Sequence, residues 1–113
     1  MILVAGCSQA FARRCGQAAI VGQALAVPIG LVSLRSVSTQ TRPVAVVMLD
    51  EAYATDPSLF TAAAREAGTR LIVVADEQIA QPELEHRILA AMREAEIEAE
   101  ASLRPPARRA ISA

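Results

Sequence analysis

Four short, nearly uncharged apolar runs, Ile2 to Ala5, Pro28 to Leu34, Pro43 to Leu49 and Arg70 to Ala75, set the tightest limit on what this chain can fold into. Each has the length of one strand and none alternates strictly between apolar and polar residues. Continuous apolar runs of this length read as strands buried on both faces, the habit of a parallel sheet covered by helices on each side.

The segments between them carry helical signals. From Ser8, a candidate N-cap, to about Leu25, residues Phe11, Cys15, Ala18, Gly22 and Leu25 share one face, with Gln9, Arg13 and Gln23 away from it. Asp56-Pro57 supplies an N-cap and a proline at the first helical position for a helix through Ala67, stopped by Gly68. Pro82 opens a last helix with Leu84, Ile88, Ala91 and Ala95 on its apolar face and His86 opposite. The polar stretch Arg35 to Arg42 makes a poor helix and predicts an irregular or single-turn connection. Strands alternating with helices imply right-handed crossovers and an α/β fold, a three-layer sandwich around a four-stranded, mostly parallel sheet.

The chain of 113 residues has room for one domain. The apolar face of the last helix fades beyond Ile97, and Ser102 to Ala113 contains Pro105-Pro106 and three arginines. The expected division is therefore a core over residues 1–98 and a charged, flexible tail over 99–113.

Composition narrows the function. Although 53% of the residues are hydrophobic, the only aromatics are Phe11, Tyr53 and Phe60, so the core must be built from Ala, Val, Ile and Leu. All eleven basic residues are arginine, which excludes a lysine nucleophile. Met1 to Leu49 holds four arginines and no acid, whereas all twelve acids lie from Asp50 onward, an asymmetry that points to an interaction surface. There is no dense basic stripe with interleaved aromatics, so nucleic-acid binding is not expected. Cys7 and Cys15 with a single histidine support neither a zinc site nor a disulfide framework and read as free thiols in a reducing cytoplasm. The first apolar run lacks a basic leader and a small-residue cleavage site, so a secretory signal is not expected. The uncharged run Cys15 to Leu34 contains Gln17, Gln23, Pro28 and three glycines, and it reads as a helix end plus a strand in preference to a membrane span.

In open parallel sheets ligands bind beyond the carboxyl ends of the strands. That edge should carry Gly6, Cys7, Ser8, Arg35, Asp50, Glu51, Asp56, Asp76 and Glu77. Asp50 and Glu51 are candidate Mg²⁺ ligands, but acids at strand ends commonly cap the helices that follow, and no cofactor or metal is expected.

The stretch TRPVAVVMLDEAYATDPSLFTAAAREAGTRLIVVADEQIAQPELEHRILAAMREAE resembles the last strands and helices of two-component receiver domains, and MILVAGCSQAFARRC resembles their first strand and helix. The resemblance implies a flavodoxin/receiver-like scaffold. Receivers hold Mg²⁺ with an acidic pair after the first strand, accept phosphate on an Asp after the third, and use a hydroxyl after the fourth and a Lys after the fifth. Here Gly6-Cys7-Ser8 replaces the acidic pair and the Lys is missing. If Pro43 to Leu49 corresponds to the third strand, Asp50 takes the acceptor's place and the fifth strand is missing; if to the fourth, as the helix opened by Pro82 favours, Met48 replaces the hydroxyl and Arg35 falls near the acceptor. In either alignment the phosphorylation machinery is broken, which implies a pseudo-receiver that works as a protein-interaction module in signalling.

Two further resemblances define alternatives. Cys7-x5-Arg13 directly after a strand resembles low-molecular-weight tyrosine phosphatases and arsenate reductases, which would make Cys7 the nucleophile, Arg13 the oxyanion ligand and Asp56 the acid. The intervening residues SQAFA, however, suit a helix better than a phosphate cradle. Thr55-Asp56-Pro57-Ser58 resembles the switch region of anti-sigma-factor-antagonist (STAS) domains, with Ser58 as the switch, although those domains begin with strands where this chain looks helical. The preferred reading is a cytoplasmic, non-catalytic regulator whose partner is another protein, with a homo-oligomer as a further option. Its interaction residues are Glu94 and Glu98 against Arg104, Arg108 and Arg109 at one end, and Arg35 on the strand-end face.

Overall fold

The computed structural model describes residues 1–103. The chain runs β1 (Ile2–Ala5), α1 (Gln9–Val21), β2 (Ala26–Ile29), a 3₁₀ turn (Leu31–Ser33), α2 (Leu34–Thr41), β3 (Ala45–Leu49), the helical turn α3 (Asp50–Tyr53), α4 (Pro57–Ala67), β4 (Arg70–Val74) and α5 (Gln81–Leu103). The strands form one all-parallel sheet in the order β2-β1-β3-β4 with helices on both faces, a flavodoxin-like arrangement that stops at four strands. Among the described residues no helix is long and apolar enough to cross a membrane. The uncharged run Cys15 to Leu34 is divided among α1, β2, the 3₁₀ turn and the first residue of α2.

Strand side chains alternate between the two faces. Ile2, Val4, Ala45, Val47, Ile72 and Val74 pack with Phe11, Cys15, Ala18, Leu84, Ile88 and Ala91 on the α1/α5 side. Leu3, Ala5, Val46 and Met48 pack with Leu34 and Phe60 on the other. β1 and β3 are central and almost wholly buried, whereas Leu71 and Val73 of the edge strand β4 are only half-buried.

Local chemistry explains the helix ends. Ser8 caps α1 by accepting the Phe11 N–H, and Asp56 caps α4 by accepting the Leu59 N–H, with Pro57 at the first position. Gly68 ends α4 in the left-handed region, φ 68°, which a side chain would strain. Gly6, φ 67°, turns the chain out of β1, and a Cβ there would lie 2.7 Å from Leu31 Cγ.

Three expectations need correction. The first helix ends at Val21, not near Leu25: Gln23 takes φ 63°, the Ala24 N–H returns to the Ala19 carbonyl, and Leu25 is 69% exposed at the entrance to β2. The second strand ends at Ile29 because its pairing with β1 spans only four residues, and Val32 is fully exposed in the turn that follows. The polar stretch after it is a helix, α2, that buries Leu34 and Ser38 against the sheet and bonds the Thr39 and Thr41 hydroxyls back to the Arg35 and Val37 carbonyls. α5 itself continues to Leu103, past the expected core–tail boundary at 98/99, and its residues 98–102 are exposed. The rest of the tail, 104–113, lies outside the described residues.

Candidate functional site

The winding of the sheet reverses between β1 and β3, so the crevice beyond their carboxyl ends is where this class of fold takes its ligands. Here the chain's own side chains occupy it. The Glu77 carboxylate, from the loop after β4, accepts both the Ser8 N–H (3.1 Å) and the Ser8 hydroxyl (2.5 Å) at the start of α1. A carboxylate therefore sits where an anion would be drawn by the helix dipole. The two Ser8 hydrogen bonds, the side-chain one foremost, hold the Glu77 carboxyl below the ordinary glutamate range.

Cys7 lies half-buried beside this contact, its thiol 3.4 Å from the Ala5 carbonyl. Burial first, and the negative charge of Glu77 second, push the Cys7 thiol up to about 11. Cys15, fully buried in α1, is pushed up to about 12 by burial and then by Cys7. Neither thiol is held as a thiolate at neutral pH, the form a cysteine nucleophile needs.

The arginine that reaches this end of the molecule is Arg14, not Arg13. Arg14 donates from Nε to Gln81 Oε1 (2.8 Å), from one terminal nitrogen to the Glu77 carbonyl (2.6 Å) and from the other to the Ile79 carbonyl, while Gln81 donates back to the Arg14 carbonyl (2.9 Å). Its guanidinium lies 5.9 Å from the Phe11 ring centre. Together these contacts clasp α1 to the loop that leads into α5. Arg13 is exposed and lines a groove toward β2 with Gln9, Ala12, Gly16, Ala26 and Pro28, apart from Cys7. Asp56, the acid of the phosphatase-type alternative, accepts the Leu59 N–H at 3.2 Å as the cap of α4.

Asp50 and Glu51 start the turn α3 and are exposed, and the Asp50 carbonyl accepts the Ala54 N–H. Asp76 folds back on its own loop to accept the Gln78 N–H at 2.7 Å. Among the described residues no group of three or more His, Cys, Asp or Glu side chains is arranged to hold a metal ion. Ser58 is exposed in the first turn of α4.

Of the interaction residues, Glu94 and Glu98 both turn onto Arg70, at 3.1 and 2.7 Å, and so tie the projecting half of α5 to the start of β4. Arg35 pairs with Glu66 at 3.3 Å across α2 and α4. Arg104, Arg108 and Arg109 lie outside the described residues.

Arg14, Gln81 and the clasping role of Glu77 escape a reading of the sequence alone. One signal was available: Arg14 is three residues from Phe11 and four from Ala18, at the border of the buried face of α1, where an arginine must find partners. Compared with known proteins, the chain matches no family model, no curated protein and no solved structure.

Proposed function

We propose that this protein is a non-catalytic interaction module of signalling type, a receiver-like scaffold that acts in the cytoplasm through contacts with other proteins, including copies of itself. The observation that carries the reading is Glu77 seated on Ser8 at the mouth of α1. The crevice where a small molecule or a phosphoryl group would bind is engaged by an internal carboxylate, and its one thiol is protonated at neutral pH. Such a fold offers partners its outer surface.

The order β2-β1-β3-β4 favours the alignment in which β3 corresponds to the receiver's third strand, so that Asp50 stands at the acceptor's position. With no lysine in the chain and Gly6-Cys7-Ser8 in place of the acidic pair, Asp50 has no partners for phosphoryl transfer. Incubation with acetyl phosphate and Mg²⁺ should leave the intact mass unchanged. Aryl phosphates should not be hydrolysed, and a defined partner should be captured equally by wild type and Cys7→Ser. A stoichiometric adduct on Asp50, or hydrolysis abolished by Cys7→Ser, would overturn the proposal.

A further inference from the structure

The two edges of the sheet are not alike. The Ile2 N–H donates to the Leu25 carbonyl and the Gly6 N–H to the Ile29 carbonyl, so the odd-numbered residues of β2 turn their amide groups toward β1 and the even-numbered ones turn outward. Pro28 is one of the outward pair, and it has no N–H to offer. That edge is thus blunted by one of the devices that protect an exposed strand.

β4 carries no such block. The Arg70 N–H donates to the Val44 carbonyl, which turns residues 70, 72 and 74 toward β3 and leaves the N–H and C=O groups of Leu71 and Val73 directed to the open edge. A groove of mixed polar and apolar lining flanks this edge on each face of the sheet. One, of about 400 Å³, is lined by Arg70, Ile72, His86, Arg87, Ala90 and Glu94. The other, of about 430 Å³, is lined by Leu71, Val73, Tyr53 and Ala64 and includes the buried, unpartnered Thr69 hydroxyl.

We propose that a second copy of this chain pairs with β4 edge to edge, antiparallel about a two-fold axis at Ile72, to make a continuous eight-stranded sheet. Three observations favour this occupant. In that register Leu71 of one copy faces Val73 of the other, and the two residues exchange both N–H···O bonds, twice over, so every outward amide group of the pair is used. α5 packs over both β3 and β4. At the usual strand spacing this sets the two symmetry-related helices about 10 Å apart, within the range of direct helix packing, and the groove-facing side of α5 is small at the half-buried Ala90. The groove-facing side of α5 carries Arg87 toward one end and, toward the other, Glu94, which Arg70 holds at 3.1 Å, so an antiparallel copy brings Arg87 of each chain to the Glu94–Arg70 pair of the other. The inference deepens the protein-contact reading above, and rests on it, by naming one partner.

Sedimentation velocity of the full chain from micromolar to millimolar concentration should show a monomer–dimer equilibrium. Leu71→Pro removes an N–H that the monomer does not use, much as Pro28 does on β2, and should raise the dimer dissociation constant on the order of 100-fold with circular dichroism unchanged. Arg87→Glu should raise it about tenfold, and high salt should weaken the wild-type dimer. Hydrogen exchange gives a readout without mutation: the Leu71 and Val73 amides should become protected as concentration rises. A wild type that stays monomeric throughout, rapid exchange at Leu71 and Val73 in whatever dimer forms, or a dimer lost only on removal of residues 104–113 would each overturn the proposal. Capture of a different protein by monomeric Leu71→Pro would leave the module reading standing without the dimer.

Discussion

On one face of the sheet, α1 and α5 close over Ile2, Val4, Val47, Ile72 and Val74, and Arg14 with Gln81 ties the start of α5 back to α1. On the other, α2 and α4 cover Leu3, Ala5, Val46 and Met48, leave Leu71 and Val73 half-open, and bury the Ser38 and Thr69 hydroxyls without partners. The difference follows from the helices available. α5 is long and apolar on its inner side, whereas α2 has eight residues, six of them polar, and forms because the sheet gives Leu34 somewhere to go. Short helices of that composition have little stability of their own. The α1/α5 face therefore holds the fold together, and the α2/α4 face is where opening should begin.

The largest effect that could break this comparison is at Ile88, fully buried between α5 and the sheet. Ile88→Ala should cost about 3–4 kcal/mol by denaturant titration, against about 1 kcal/mol for Val37→Ala on the half-buried side of α2. Equal costs would mean that the two faces contribute alike. Next is the clasp: Arg14→Ala loses hydrogen bonds to two carbonyls and to Gln81 and should cost about 2 kcal/mol, with Arg14→Lys a poor substitute because an ammonium cannot span that fork. Arg13→Ala, one residue away on the exposed side, should be close to neutral.

On the weaker face the sign should reverse. Thr69→Val and Ser38→Ala each delete a buried hydroxyl that has no partner, and each should leave stability unchanged or raise it by up to about 1 kcal/mol. A loss at either site would show that the hydroxyl is engaged in solution. The smallest effect belongs to Glu77. Its carboxyl titrates lower in the folded chain than in the unfolded one, so its contribution is present at neutral pH and fades as pH falls from the ordinary glutamate value near 4.5 through the lowered folded value. The melting temperatures of wild type and Glu77→Ala should thus differ modestly at pH 7 and converge in acid.

The sequence by itself determined the features that depend on neighbours within a turn or a strand. Asp56-Pro57 and Gly68 bounded α4, Ser8 capped α1, the apolar runs of β1, β3 and β4 announced a parallel sheet, and the absence of lysine removed a class of chemistry outright. Tertiary structure decided whatever depends on distant partners. The polar residues 35–41 became a helix because packing on the sheet outweighed their weak propensity. Leu25, apolar and in helical register, was left outside because the chain had to turn into a four-residue pairing with β1. Arg14 in place of Arg13, and Glu77 on Ser8, were settled by contacts 63 to 69 positions apart. A capping hydroxyl meets its amide three residues away in any chain that starts a helix there, whereas a carboxylate reaches a serine across the sheet only after every strand between them has taken its place.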